Sequence, residues 1–318
     1  MLRKLSLQLW ERSATALQNA NILLIINPAA GKRKARTGLC DIVEQFCQKG
    51  CRVTVHTTLE PGHAARLTAE YADQYDLIVC CGGDGTLSEV VSGLLQTDCR
   101  KPLGYIPAGT TNDLAASLHL SRSISKAAQA VLKGESRALD IGRFNHRFFT
   151  YIASFGAFTE ASYAAPQAAK NTFGHLAYVM EGIKDLSGIR PFSLTVDSDD
   201  HRLEGPFVYG SVSNTTSIGG VIKLPSPLVD LGDGRLEVLL VRPPQNPTEL
   251  GRILQCLQKK RYDGELVYLF QTSSLDIHCP EAFPWSLDGE REEGSDRVEI
   301  RCLHHAVTLL VPQKEGNA

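Results

Sequence analysis

The run Gly82-Gly83-Asp84-Gly85-Thr86 has the residue types of a phosphate cradle. Glycines let a backbone approach a phosphate chain without Cβ collisions, and the amides of a helix start present partial positive charge to it. Asp84 would repel phosphate on its own, so the run implies a cation, or water held by one, between the two. A plain glycine-rich turn between strand and helix is the alternative that the run alone leaves open. Three other segments carry related chemistry: Asn27-Pro28-Ala29-Ala30-Gly31-Lys32, Thr58 with Gly62 close behind, and Pro107-Ala108-Gly109-Thr110-Thr111-Asn112-Asp113. The first ends in a lysine able to neutralise phosphate charge. Farther along, Asp230-Leu231-Gly232-Asp233-Gly234-Arg235 sets two carboxylates three residues apart in a glycine-rich loop. Such a loop suits a hard cation with oxygen ligands, or is a solvated turn. Leu287-Asp288-Gly289-Glu290 follows Phe283-Pro284-Trp285, so a carboxylate sits on a tight turn beside aromatic surface. A general base for a hydroxyl needs such a partly desolvated place.

The elements that must position these residues can be read from periodicity. Apolar runs at 22–26, 53–57, 77–81 and 103–106 lack polar alternation, as strands buried on both faces do. The segments between and after them, near 33–49, 62–73, 85–96 and 123–133, carry helical spacing. This predicts a mainly parallel sheet flanked by helices over residues 1–139. Each glycine-containing loop then follows a strand, where open α/β sheets bind ligands. Beyond Asp140 the runs shorten and alternate, as at 192–196, 207–213 and 236–241, predicting a mainly antiparallel β-sandwich over 140–318 with helices near 172–188 and 247–260. The last residues are allowed to return to the first domain.

Two familiar nucleotide signatures are absent. Residues 104–111 have the glycine spacing of a P-loop, but Thr110 stands where its lysine belongs, and no G-x-G-x-x-G follows the first strand. The net charge of −2 argues against non-specific nucleic-acid binding. Nine cysteines without a C-x-x-C pair read as reduced thiols of a cytoplasmic protein. No apolar run is long enough for a membrane span. Within residues 1–20, Leu2, Leu5, Leu9 and Trp10 fit a short amphipathic helix, packed on its own domain or touching a membrane.

Taken in order, N-P-x-x-G-K, G-G-D-G-T, P-x-G-T-x-N-D, L-D-I-G, D-G-x-L-E and D-G-E resemble the diacylglycerol kinase catalytic family, in particular its bacterial lipid kinases, related to sphingosine and ceramide kinases. The resemblance runs from about residue 21 to residue 312. It implies an ATP- and Mg2+-dependent kinase that phosphorylates a lipid hydroxyl, first of all that of diacylglycerol, at a membrane surface with which it associates transiently. It implies ATP contacts at Asn27, Pro28, Ala29, Ala30, Gly31, Thr58, Gly83, Asp84, Gly85, Thr86, Leu87, Ser88, Glu89 and Thr110, with Lys32 near the phosphates. Asp84, Asp113 and Asp140 would belong to a water and Mg2+ network. Asp230, Asp233 and the Arg235 carbonyl would hold a structural Mg2+, and Glu290 would accept the hydroxyl proton. The sequence departs from the pattern at Asn214-Thr215 and Gly219-Gly220-Val221, in a loop that could face the acceptor. An NAD kinase, which shares G-G-D-G-T, and a non-catalytic lipid-binding protein are the competing readings. A homodimer is left open.

Overall fold

The computed structural model describes residues 17–156, 190–218, 222–225 and 227–313. The amphipathic segment around Leu2 to Trp10, the helix expected near 172–188 and Gly219-Gly220-Val221 lie outside the described residues. The chain divides into two compact units, one of residues 1–139 with those from His305 onward, the other of residues 140–304.

In the first unit the order is β1 (Asn21–Ile26), α1 (Ala30–Thr37), α2 (Leu39–Cys47), β2 (Arg52–Thr57), α3 (His63–Tyr71), β3 (Leu77–Gly82), α4 (Asp84–Gln96), β4 (Leu103–Pro107), α5 (Asp113–Ser117) and α6 (Ile124–Lys133). The sheet runs β2-β1-β3-β4 and is parallel, with Ile22 opposite Val53 on one side and Leu77 on the other. Ile22, Leu23, Leu24 and Ile25 are fully buried, as are Leu77 to Cys81, so the unbroken apolar runs do face protein on both sides. The run at 53–57 departs from that expectation: β2 reads RVTVHT and is largely exposed, because as the edge strand it pairs with β1 alone. In α6, Ile124, Ala127, Ala128, Val131 and Leu132 form the buried stripe that helical spacing predicts. From β1 the chain passes to β2 on one side and then to β3 on the other. The carboxyl ends of β1 and β3 are therefore a topological switch point, where the backbone parts and leaves a crevice.

The second unit contains β5 (Glu135–Phe144), whose first residues belong to the first unit, then β6 (Arg147–Phe149), β7 (Ile152–Gly156), β8 (Phe192–Ser198), β9 (Arg202–Phe207), β10 (Tyr209–Ser213), β11 (Ser217–Ile218), β12 (Ile222–Lys223), β13 (Leu236–Val241), α7 (Pro247–Lys259), β14 (Val267–Thr272), β15 (Ser274–His278), β16 (Trp285–Leu287), β17 (Glu290–Glu292) and the long β18 (Arg297–Val311), whose residues from His305 onward belong to the first unit, where Leu309 and Leu310 pair parallel with β4. One antiparallel sheet runs β14-β13-β10-β7-β16-β17. The strands β9, β8, β15 and the start of β18 pair antiparallel in another. Alternate residues fill the shared core: Leu194, Val196, Leu275, Ile277, Val298 and Ile300 from one side, Phe155, Val212, Val238, Leu240 and Trp285 from the other. Trp285 anchors it, edge-on to Phe155 at 4.8 Å and to Phe144 at 5.0 Å between ring centres. The two-layer antiparallel arrangement agrees with the sequence reading.

All nine cysteines are free, and burial holds the Cys80 thiol well above and the Cys81 thiol near 12, so these two are inert. Among the described residues no helix is long and apolar enough to cross a membrane.

Candidate active site

The loops after β1, β3 and β4 meet in the first unit because their backbones can touch. A Cβ placed on Gly109 would stand 2.6 Å from the Gly83 Cα, and one on Gly31 would stand 1.9 Å from the Ala108 carbonyl oxygen. Gly31 also has φ of +56°, in the left-handed region that disfavours side chains. Neither position admits alanine without moving a strand-anchored loop. The Asn27 amide donates to the Cys81 carbonyl (2.9 Å), the Ala108 amide to the Gly82 carbonyl (2.7 Å), and the Thr58 amide to the Ile26 carbonyl (2.9 Å), so the loops after β1, β4 and β2 are each tied to a neighbouring strand end.

Polar side chains set the loop shapes. The Asn27 side chain donates to Thr86 Oγ1 at 3.2 Å and accepts from the Ala29 amide at 3.0 Å. Asp84 begins α4, and its Oδ2 accepts the amide of Asp113, the first residue of α5, at 3.2 Å. Asn112, buried and at φ +54°, accepts the Gly109 amide (3.0 Å) and donates to the Gly109 carbonyl (2.8 Å). It shapes the third loop as Asn27 shapes the first. Sequence reasoning quoted Asn112 within a motif but gave it no role; an Asn before Asp at a helix start, tolerant of left-handed backbone, was the available signal.

Several expected contact residues are constrained by where they sit. Leu87 and Thr86 are buried, so any approach to a ligand is through their backbone. Glu89 uses both carboxylate oxygens on the amides of Gly62 (2.8 Å) and Ala64 (2.9 Å), fixing the start of α3 beside the Thr58 loop. Ser88 lies on α4 and Thr110 is exposed on its loop. Lys32 lies in the first turn of α1, and its side chain is outside the described residues.

The second unit holds two carboxylate groupings. Asp288 and Gly289, at φ +51° and +86°, form the two-residue turn between β16 and β17, with Leu287 opposite Glu290. The buried Asp288 carboxylate accepts the amide (2.6 Å) and hydroxyl (2.9 Å) of Thr150 and the amides of Tyr151 (3.0 Å) and Ile152 (3.1 Å). Four donors and burial make it a structural anchor that leaves Glu290 as the presented carboxylate. Glu290 lies 3.4 Å from Arg147, whose guanidinium also pairs with Glu292, and half of its side chain is exposed. The aromatic residues expected beside it, Phe283 and Trp285, are buried in the core instead. Strand alternation turns Trp285 and Leu287 inward together.

The acidic loop is built around Asp140. The Asp140 amide donates to the Leu231 carbonyl (2.8 Å), its Oδ2 accepts the Gly234 amide (2.6 Å), and its Oδ1 meets His304 Nδ1 at 3.1 Å. The Asn214 side-chain amide donates to the carbonyls of Asp140 (2.8 Å) and Leu231 (3.2 Å). Gln271 donates to the Leu228 carbonyl, Asp233 and Glu237. Asp230 and Asp233 are exposed, and each accepts an amide two residues on, from Gly232 and Arg235. Burial, then the charges of Asp233 and Asp230, push the Glu237 carboxyl up to about 8 against the Gln271 hydrogen bond. Carboxylates and carbonyls that crowd one another in this way fit a hard cation. Asn214, Gln271, His304 and Glu237 are the organisers that sequence reasoning did not assign.

A glycine-backbone cradle at the switch point of a parallel sheet, together with an antiparallel sandwich bearing presented carboxylates, defines a phosphotransferase class of protein. The diacylglycerol kinase catalytic domain model matches residues 21–144, and the YegS C-terminal NAD kinase beta sandwich-like domain model matches residues 152–311. A diacylglycerol kinase of Bacillus subtilis (strain 168) is 34% identical over 296 residues, covering 92% of this chain and 97% of its own. One from Staphylococcus aureus (strain MRSA252) is 34% identical over 84% of this chain and 85% of its own. A crystal structure from Bacillus anthracis str. Sterne, assigned to the diacylglycerol kinases, superposes with TM-score 0.77 at 26% identity, covering 92% of this chain and 96% of that one. The chain belongs to the diacylglycerol kinase catalytic family. It is a lipid kinase with ATP as phosphoryl donor.

Proposed function

We propose that the chain transfers the γ-phosphoryl group of ATP to the hydroxyl of diacylglycerol, giving phosphatidic acid and ADP. The observation that carries the reading is the closeness of Gly31, Gly83 and Gly109 to neighbouring backbone, which leaves three loop backbones to line a phosphate chain. Residues 1–139 hold the nucleotide through Asn27 to Gly31, Thr58, Gly83 to Glu89 and Thr110, with Lys32 offsetting phosphate charge. In this reading Leu87 serves through its backbone, and Glu89 by fixing the Thr58 loop. Residues 140–304 receive the acceptor. Glu290 takes the hydroxyl proton, the oxygen attacks the γ-phosphorus, and the bond to the β-phosphate oxygen breaks with its electron pair leaving on ADP. Phosphoryl transfer depends mainly on positioning and charge, which suits rigid loops fixed by Asn27, Asn112 and Asp84.

Asp230, Asp233 and the Arg235 carbonyl would hold a structural Mg2+, while Asp84, Asp113 and Asp140 would organise water and Mg2+ around the phosphate chain, where the ion would supply charge compensation. The enzyme works in the cytoplasm and visits the membrane surface, where the acyl chains of its substrate remain. The test incubates the protein with radiolabelled ATP, Mg2+ and vesicles containing diacylglycerol, monoacylglycerol, ceramide or a sphingoid base, with NAD as a soluble acceptor. Label in phosphatidic acid is expected. Label in another lipid alone corrects the acceptor, and label in NAD alone overturns the proposal.

A further inference from the structure

We propose that the Leu59 side chain is the apolar face on which the adenine base of the nucleotide rests, an inference that depends on the kinase reading above and names the base subsite within it. Leu59 is 81% exposed, and the one other large apolar side chain exposed among the described residues is Val55, at 37%. A single leucine on a loose surface loop would mean nothing. This one is held in place.

The loop after β2 is built from several ties. The Thr58 amide donates to the Ile26 carbonyl at 2.9 Å, the Leu59 amide to His63 Nδ1 at 3.1 Å, and the His63 amide to the Glu60 carbonyl at 3.2 Å. Glu60 pairs with Arg66, and Pro61 between them fixes its own φ. Glu89 takes the amides of Gly62 and Ala64, so the loop is also joined to α4, the helix that opens at Asp84 beside the phosphate cradle. An apolar side chain on a loop already fixed in this way needs little backbone ordering when a ligand covers it.

The place in the sheet suits a base. In the order β2-β1-β3, two strand spacings of about 4.8 Å put the start of the Leu59 loop about 10 Å from that of the Gly83 loop, a span that a ribose bridges. On the other side of β3 the loop after β4 offers the polar Thr110 and Thr111 instead. The apolar ring face of a purine is therefore matched on the β2 side. A membrane contact is the other use for an exposed leucine, but Glu60 follows it and Arg66 is already paired with Glu60, so the loop adds no net positive charge for an anionic surface.

The test uses calorimetry to compare ATP with inorganic tripolyphosphate, both with Mg2+, on the full chain and on Leu59→Ala. The variant should bind ATP about three- to tenfold more weakly, the loss expected when a partly covered leucine is cut to its Cβ. Tripolyphosphate, which has no base, should bind both proteins equally. The KM for ATP should rise by the same factor with kcat held, and the thermal midpoint should match the parent because the side chain is exposed. In Leu59→Trp, ATP and ADP should change the added indole fluorescence while tripolyphosphate does not. Equal ATP affinity in parent and Leu59→Ala, an equal loss for tripolyphosphate, or an indole signal that follows tripolyphosphate overturns the assignment and leaves the kinase reading standing. Weaker binding of Leu59→Ala to anionic vesicles at parent-like ATP affinity overturns it in favour of a membrane contact. A parent that binds no ATP removes both.

Discussion

Two carboxylates on one hairpin, Asp288 and Glu290, should fail in opposite ways when made neutral. Asp288 accepts four hydrogen bonds from residues 150 to 152, three of them backbone amides. In Asp288→Asn the remaining oxygen can serve Tyr151 and Ile152, but an amino group faces the Thr150 amide, donor against donor. Leaving that buried amide unpartnered costs about 1–3 kcal/mol, and loss of charge weakens the bonds that stay, so about 2–4 kcal/mol is expected. The thermal midpoint should fall by several degrees. Activity should fall as well, because the anchor presents Glu290. Glu290→Gln removes an exposed carboxylate whose Arg147 contact is worth about 1 kcal/mol at most. Its stability should match the parent, while turnover drops about 10² to 10⁴-fold if it is the base. Thermal unfolding, ATP calorimetry and labelled-lipid transfer on both variants decide. Glu290→Gln turning over within a few-fold of the parent would refute the base assignment. A stable, inactive Asp288→Asn would refute the anchor and move the base to Asp288.

Gly109→Ala should abolish measurable ATP binding by calorimetry in a folded protein, since its Cβ would stand 2.6 Å from the Gly83 Cα and 2.7 Å from Asn112 Oδ1; parent-like affinity would show that this approach does not shape the phosphate site. Asp230→Asn with Asp233→Asn should raise the Mg2+ concentration needed for half-maximal transfer, and an unchanged requirement would leave the loop a solvated turn. Without metal, Glu237 should make stability fall as pH rises from about 4.5 to about 8, because its folded-state carboxyl, raised to about 8, binds a proton that the unfolded chain has released. Below that window both states are protonated and the contribution is fully present. Glu237→Gln should flatten the slope in denaturant titrations across that range, and an unaltered slope would count against the buried neutral carboxyl.

The sequence by itself determined the parts that depend on near neighbours along the chain. Strands β1, β3 and β4 were legible because burial on both faces demands unbroken apolar runs, and α6 because its buried positions recur every three or four residues. The helix near 247–260 begins at Pro247 behind Asn246, whose side chain accepts the Glu249 amide at 2.9 Å, a start signal written in adjacent residues. The Asp-Gly turn before Glu290 was equally local. Elsewhere contacts from distant residues overruled the pattern. The helical segment expected over 33–49 breaks at Gly38, where a Cβ would meet the Ile124 side chain at 2.7 Å. The apolar run over 207–213 divides at Val208 into β9 and β10, which lie in different sheets. Helix α5 was missed because five residues are too few to show a period. The motifs identified the candidate residues; the tertiary structure separated their roles. Asp288 and Glu290 are both carboxylates on one turn. Only the arrival of residues 150 to 152, far away in sequence, makes one a buried anchor and leaves the other presented. Asp140 and His304 meet across a separation of 164 residues, a distance over which periodicity carries no information.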